Sequence, residues 1–378
     1  MIAKLQPNRV RRTYLGGGQI DAFTGGSRSC ATETDAQERV PPMPMPEDWM
    51  ASTTTAFNGT FEIEGEGLGR LEDGRLVKDV VGTLPILVKL LDSDERLVIQ
   101  AHPTVPCAKR LFNSPVGKTE CWYFLPGTAP DACVYLGFKP GITREKWEAA
   151  FWGGSRSCAT AAETAAPHAD ARERVPPVGG ADARERVPPL LSFLHRIPVA
   201  AGDFVFVDGG MPHAIGGGCF MIELQEPSDL MVVAERVTPS GRRIPDAKMH
   251  GGVGWEKMFE VYEYEGLTYE EVCARYVRWA GGSRSCATAA ETAAPHADAQ
   301  ERVPPVKQIL GPELTDKFEM WRVAGGGMLS LPRDRAVAVV TEGAGEVNGL
   351  AVKKGDRLVV SGERQLVVSG SATLVACA

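Results

Sequence analysis

L-P-I-L-V-K-L-L-D-S-D-E-R-L-V-I-Q-A-H-P, residues 84–103, is the stretch from which the fold reads most directly. An apolar run over 84–91 meets the polar Asp92, Ser93, Asp94 and Glu95, and an alternating segment follows over 96–102. Strand, turn and strand is a hairpin pattern. Outward from it the same texture continues. Residues 120–125 are aromatic-rich, and 203–207, 219–224, 336–341, 357–360 and 365–368 are short apolar runs between Gly, Pro and Asp. Helical patterns are few: one over 143–152, and one over 267–277 that carries Thr268 and Glu271 at capping-box spacing. Many short strands with such turns predict a mainly β protein, built as a jelly roll, sandwich or barrel.

The chain has 378 residues with 41 Lys+Arg against 48 Asp+Glu, a net charge of −7, which makes it a poor binder of nucleic acid or anionic membrane. No apolar run reaches the ~20 residues that span a bilayer, and residues 1–12 are basic without an apolar core, so no secretory signal is expected. Nine cysteines without a C-x-x-C pair fit reduced thiols and a cytoplasmic setting.

One segment recurs. Residues 153–178 and 281–306 differ only at Arg172 against Gln300, 25–42 is a shortened copy, and A-D-A-R-E-R-V-P-P occurs at both 169–177 and 181–189. The copies are unevenly spaced and nearly identical, and nothing between them is periodic, which excludes a solenoid. Their Ala, Gly, Pro, Ser, Thr and charged residues bury too little apolar surface to offset ordering entropy. They read as inserted elements in surface loops at 25–42, 153–189 and 281–305, the later two just after helices. Cys30, Cys158, Cys286, His168 and His296 belong to them and leave any site argument. The remaining histidines are His102, His195, His213 and His250, of which His195 and His250 are read as structural.

Gln100 and His102 are two apart on a strand and share a face, as do Lys118 and Glu120 in G-K-T-E. His213 follows another strand in G-G-M-P-H-A, where Pro212 holds Met211 extended. Two imidazoles, a carboxylate and an amide oxygen are a donor set for one divalent ion; zinc and non-haem iron both suit it.

At these residues the sequence resembles type I mannose-6-phosphate isomerase, in its short bacterial form interrupted by the inserted repeats. The resemblance rests on residues 84–103 together with G-K-T-E-C-W-Y-F-L (117–125), G-D-F-V-F-V-D-G-G-M-P-H-A-I-G (202–216) and E-L-Q-E-P-S-D (223–229), supported by R-T-Y-L-G-G (12–17) and P-E-D-W-M-A-S (46–52). It implies a cupin fold, a double-stranded β-helix or jelly roll, in two units with a few surface helices. Residues 1–265 would form the metal-binding catalytic cupin, 266–306 a helical connector, and 307–378 a degenerate cupin without metal. G-E-V-N-G-L-A-V-K-K-G-D-R-L-V-V-S-G at 345–362 echoes the strand pattern of 202–207 and contains no His.

The resemblance further implies interconversion of mannose 6-phosphate and fructose 6-phosphate through a cis-enediol. One Zn2+ per chain would be held by Gln100, His102, Glu120 and His213. Lys118 and Glu223 correspond to site residues, Glu223 or a zinc-bound water would transfer the proton, and Asp229 corresponds to the Asp beyond. One position departs: the family's catalytic Arg, four residues after that Asp, is Val233 here. Arg236 is the nearest candidate to carry its role. The phosphate needs cationic partners, and Arg12, Lys109, Arg110 and Arg236 are the candidates. Two alternatives stand beside the isomerase. One is a sugar-phosphate-binding regulator of low turnover, suggested by Val233. The other is an Fe2+ cupin oxygenase. The sequence is silent on oligomeric state.

Overall fold

The structure is a computed structural model that describes residues 1–25, 44–57, 63–153, 189–281 and 304–378. The repeat copies, apart from their edges, lie outside the described residues.

Four antiparallel sheets organise the described chain. A seven-stranded sheet runs, neighbour to neighbour, through Val277–Arg278, Phe204–Val207, Glu120–Phe124, Cys219–Gln225, Leu87–Ser93, Glu47–Met50 and Arg9–Val10. A five-stranded sheet, with Gln100–Ala101 and His213–Ile215 at its middle, faces it. The C-terminal unit repeats the scheme with a six-stranded and a four-stranded sheet. The N-terminal strand Ile2–Lys4 pairs with Arg357–Ser361 and so joins the C-terminal unit. Two facing antiparallel sheets, repeated once, make this a mainly β cupin fold.

Strand periodicity decides which side chains enter which core. Along Glu120–Phe124, Cys121 packs towards the C-terminal unit, among Leu90, Phe206, Val337 and Val375. Trp122 and Phe124 point the other way, between the two sheets of the N-terminal unit, with Val134, Leu136, Val205 and Met221. Val88 and Leu90 alternate with Leu91 in the same manner. The seven-stranded sheet is thus buried on both faces, which is why 84–91 is apolar at every position but Lys89. Each such fully buried side chain contributes roughly 1.5–3 kcal/mol.

The hairpin expected over 84–102 is corrected. Leu87–Ser93 pairs with Glu47–Met50 and Cys219–Gln225, whereas Gln100–Ala101 belongs to the other sheet and pairs with His213 and Val232–Val233. The polar segment between them is a corner that crosses from sheet to sheet. Leu97 donates to the Ile215 carbonyl at 2.8 Å, and Arg96 forms a two-pronged pair with Glu235 at 2.7 and 2.8 Å. A two-residue strand cannot show this in sequence, because its partners are more than 100 positions away.

The helices Arg144–Phe151 and Tyr269–Tyr276 form where the spacing predicts them. Thr268 accepts from the Glu271 backbone N–H while the Glu271 carboxylate takes the Thr268 N–H, a complete capping box. A short strand, Val277–Arg278, then intervenes before the third repeat copy. No helix among the described residues is long and apolar enough to cross a membrane. The six described cysteines are free and buried.

Candidate metal centre and adjoining pocket

His102, Glu120 and His213 come together from three separate segments, all fully buried, with their ligand atoms within 4.8 Å of one another. His102 follows Gln100–Ala101, Glu120 opens its strand in the opposite sheet, and His213 opens the strand that pairs with Gln100. The turn before His213 depends on glycine: Gly210 has φ +87°, and a Cβ there would lie 2.3 Å from Glu263 Cγ.

The hydrogen bonds of the two rings fix what they offer. His102 Nδ1 donates to the Leu230 carbonyl and His213 Nδ1 to the Met211 carbonyl, each at 2.9 Å. This tautomer leaves both Nε2 atoms as bare lone pairs. His102 Nε2 stands 3.2 Å from one Glu120 oxygen and His213 Nε2 3.4 Å from the other. All four atoms are buried and none has a hydrogen-bond donor. Four acceptors facing one another without a proton between them are unfavourable unless a cation joins them. The donor set therefore fits a divalent metal. Burial, and then Lys118, hold His102 down at about pKa 3, and burial lowers His213 too, so both rings are neutral as ligands must be. Burial alone would raise the Glu120 carboxyl, but it is held well below the ordinary carboxylate range, and the Lys118 ammonium beside it favours the ionised form.

Beside the triad opens a pocket whose wall includes Gln100, Lys118, Glu223, Lys89, Glu47, Arg12, Val233 and Lys248. Lys118 reaches Glu120 at 3.4 Å and so touches both regions. Strand register builds the rest. Glu223 lies directly opposite Lys89, which lies opposite Trp49. The Lys89 ammonium meets Glu223 at 2.7 Å and Glu47 at 3.8 Å. Glu47 in turn accepts from Arg12 at 3.0 Å, Tyr14 at 2.5 Å and the Trp49 indole at 2.6 Å, and Arg12 forks onto Asp229 at 2.7 and 2.9 Å. A buried charge chain results, in which every group is paired. Burial raises the Glu223 carboxyl, with Lys89 opposing and Glu120 adding to the rise. Against their own burial, Arg12 and Lys89 hold Glu47 down at about 2, and Arg12 holds Asp229 well below the ordinary range.

Most of the residues singled out from sequence meet here. Gln100, Lys118, Glu223 and Arg12 line the pocket, and His102, Glu120 and His213 adjoin it. Arg236 does not join them, which corrects the expectation placed on it. Its guanidinium sits about 5 Å over the rings of Phe151, Trp152 and Trp255 and 3.6 Å from Asp246, at 40% side-chain exposure. The chain leaves its short strand at Val233, and no bulge turns Arg236 back inward. Lys109 and Arg110 are exposed, the latter paired with Glu260, and neither lines the pocket. His195 bonds the Leu267 carbonyl at 2.8 Å, and His250 Nδ1 accepts from two backbone amides, so both are structural. The sequence reading missed Lys89, Glu47, Tyr14 and Lys248. Lys89 did leave a signal, a lone cation inside the apolar run 84–91. Lys248 left none.

A cupin with a two-histidine, one-glutamate donor set beside a charged pocket is the class of protein that fold and site define. Comparison with known proteins narrows this. The chain is 30% identical over 148 residues to a probable mannose-6-phosphate isomerase of Bacillus subtilis, a match covering 38% of this chain and 35% of the relative. It is also 30% identical over 145 residues to the mannose-6-phosphate isomerase of Streptococcus mutans, covering 38% and 34%. The chain thus matches about a third of the length of these curated relatives. No family model matches. Among solved structures, the mannose 6-phosphate isomerase of Bacillus subtilis superposes with a TM-score of 0.64 at 17% identity, over 100% of this chain and 99% of that one. A phosphomannose isomerase variant from Salmonella typhimurium gives 0.63 at 14%, over 100% and 99%. The likeness to the solved structures extends the shared fold to the whole chain.

Proposed function

We propose that this chain is a zinc-dependent aldose–ketose isomerase that interconverts mannose 6-phosphate and fructose 6-phosphate. One observation carries the reading: His102 Nε2, His213 Nε2 and both Glu120 oxygens converge without a hydrogen-bond partner next to a pocket rich in paired charge. The names of the relatives and the whole-chain likeness in fold support it.

The reaction moves a proton between C1 and C2 through a cis-enediol. His102, Glu120 and His213 would hold the zinc, with Gln100 as fourth ligand, since it pairs with His213 and lines the pocket. Bound zinc supplies Lewis acidity towards the substrate's carbonyl and hydroxyl oxygens. Glu223 is the protein's own proton carrier. It is buried, Lys89 holds it in one position, and burial raises its affinity for a proton, which suits a group that must both take and return one. Lys118 stabilises negative charge on the substrate oxygens from its place beside Glu120. Tyr14, Glu47 and Arg12 keep Lys89 and Asp229 in register rather than touching the reacting carbons. Residues 1–265 carry this chemistry, 266–306 connect, and 307–378 form the degenerate cupin without metal. The free, buried cysteines accord with a reducing cytoplasm.

A second reading, a sugar-phosphate-binding regulator of low turnover, is favoured by Val233 in the pocket wall, to which Arg236 does not come. A coupled assay following mannose 6-phosphate to fructose 6-phosphate, before and after chelation and zinc return, separates the two. The isomerase reading expects turnover that vanishes on chelation and returns with zinc. Tight binding of mannose 6-phosphate without turnover by zinc-loaded protein would favour the regulator.

A further inference from the structure

We infer that Lys248 is the residue that receives the phosphate group of the hexose 6-phosphate. The inference rests on the sugar-phosphate reading above and adds the residue that recognises the phosphate.

Lys248 lies on the short helix Asp246–Met249, which follows Pro245 and packs against Val232–Val233. It lines the same pocket wall as Val233 and Ile244, at 7% exposure. The other cations of that wall are taken. Arg12 is held by Asp229 and Glu47, Lys89 by Glu223, Arg96 by Glu235, and Lys118 stands beside Glu120. Lys248 takes part in none of the ion pairs that hold these four cations. It is the one pocket cation, among the described residues, with its charge unspent.

An ammonium taken out of water without a partner is costly, and the cost appears as a lowered affinity for its proton. Burial, and then repulsion from Arg12, bring Lys248 down to about 8. A dianion entering the pocket relieves that cost, and an ammonium offers three donors to its oxygens. Position selects which part of the substrate this is. Lys248 lines the pocket wall together with Arg12 and Glu47, whereas the metal donors His102, Glu120 and His213 adjoin the pocket without lining it. With C1 and C2 at those donors, the opposite end of the six-carbon chain carries the phosphate.

The test is calorimetric titration of zinc-loaded, full-chain protein with mannose 6-phosphate, inorganic phosphate and mannose. Lys248→Met is expected to weaken mannose 6-phosphate and inorganic phosphate about 10-fold or more, the scale of one lost charge-assisted contact, while leaving mannose unchanged. Lys248→Arg should restore most of the phosphate affinity. Circular dichroism and zinc content monitor folding, and Lys248→Gln carries the same comparison if the methionine variant does not fold. Phosphate affinities within twofold of wild type in a folded, neutral variant would overturn the inference. The isomerase reading fails separately, on absent turnover in wild-type protein, and a phosphate affinity that still depends on Lys248 would then uphold the anion site alone.

Discussion

Replacing Lys89 by methionine tests the buried charge chain where it matters most. The Lys89 and Glu223 side chains are 2% and 4% exposed and meet at 2.7 Å. Breaking such a pair from one side leaves the other charge buried alone, at a cost of ~3–5 kcal/mol. Glu47 is the lesser sufferer. It lies 3.8 Å from Lys89 and keeps Arg12, Tyr14 and Trp49. The cost therefore falls on Glu223, and the Lys89→Met variant is expected to lose about 3 kcal/mol, a large share of the 5–15 kcal/mol that a folded protein has. Glu223→Gln strands Lys89 in the same way, although Glu47 remains to share its charge. The double variant removes both charges, so its loss should fall short of the sum of the singles by about 2 kcal/mol or more. Urea unfolding of zinc-loaded protein provides the measurement. Trp49, whose ring lies 5.0 Å from the Lys89 nitrogen, reports locally through its fluorescence. Single-variant losses that add to within about 0.5 kcal/mol would refute the reasoning, because the two groups would then not depend on each other.

Zinc analysis should find about one ion per chain in wild-type protein and little in His102→Ala or His213→Ala, while Glu120→Gln weakens the site by removing its only carboxylate. Full zinc in the His213 variant, or iron in place of zinc, would undo the assignment. Glu47 and Asp229 both have carboxyls held below their ordinary values, so their contribution to stability is present above about pH 4.5 and drains away as pH falls towards 2. Glu47→Gln should flatten the loss of stability between pH 5 and 3, and an unchanged acid slope would count against the pairing. Arg236→Ala should leave kcat/KM near wild type and cost about 1 kcal/mol of stability from its aromatic contacts. A fall of 10-fold or more in kcat/KM would return Arg236 to the site.

The sequence by itself determined the β character, the places of two helices, the near-identical repeat copies and the spacing of the candidate metal donors. Each of these is a local pattern. Thr268 and Glu271 are three apart, Gln100 and His102 two apart, and the repeats match letter for letter. Lys118 and Glu120 are two apart as well, although the strand opens only at Glu120, and the two side chains meet at 3.4 Å. What only the tertiary structure decided depends on partners far along the chain. Residues 84–102 carry the marks of a hairpin, yet Leu87–Ser93 and Gln100–Ala101 join opposite sheets, because their hydrogen-bond partners lie at 47–50, 213–225 and 232–233. Arg236 looked like the natural stand-in for Val233 by proximity in sequence, but three positions of chain after a two-residue strand carry it into the cage of Phe151, Trp152 and Trp255. Lys248 sits 15 positions beyond Val233 in a polar stretch with no pattern to mark it. Packing of its helix on Val232–Val233 brings it back to the same wall. Strand and helix periods are set by each residue's own backbone. Whether a charge ends buried, paired or unspent is set by neighbours that meet it only after folding.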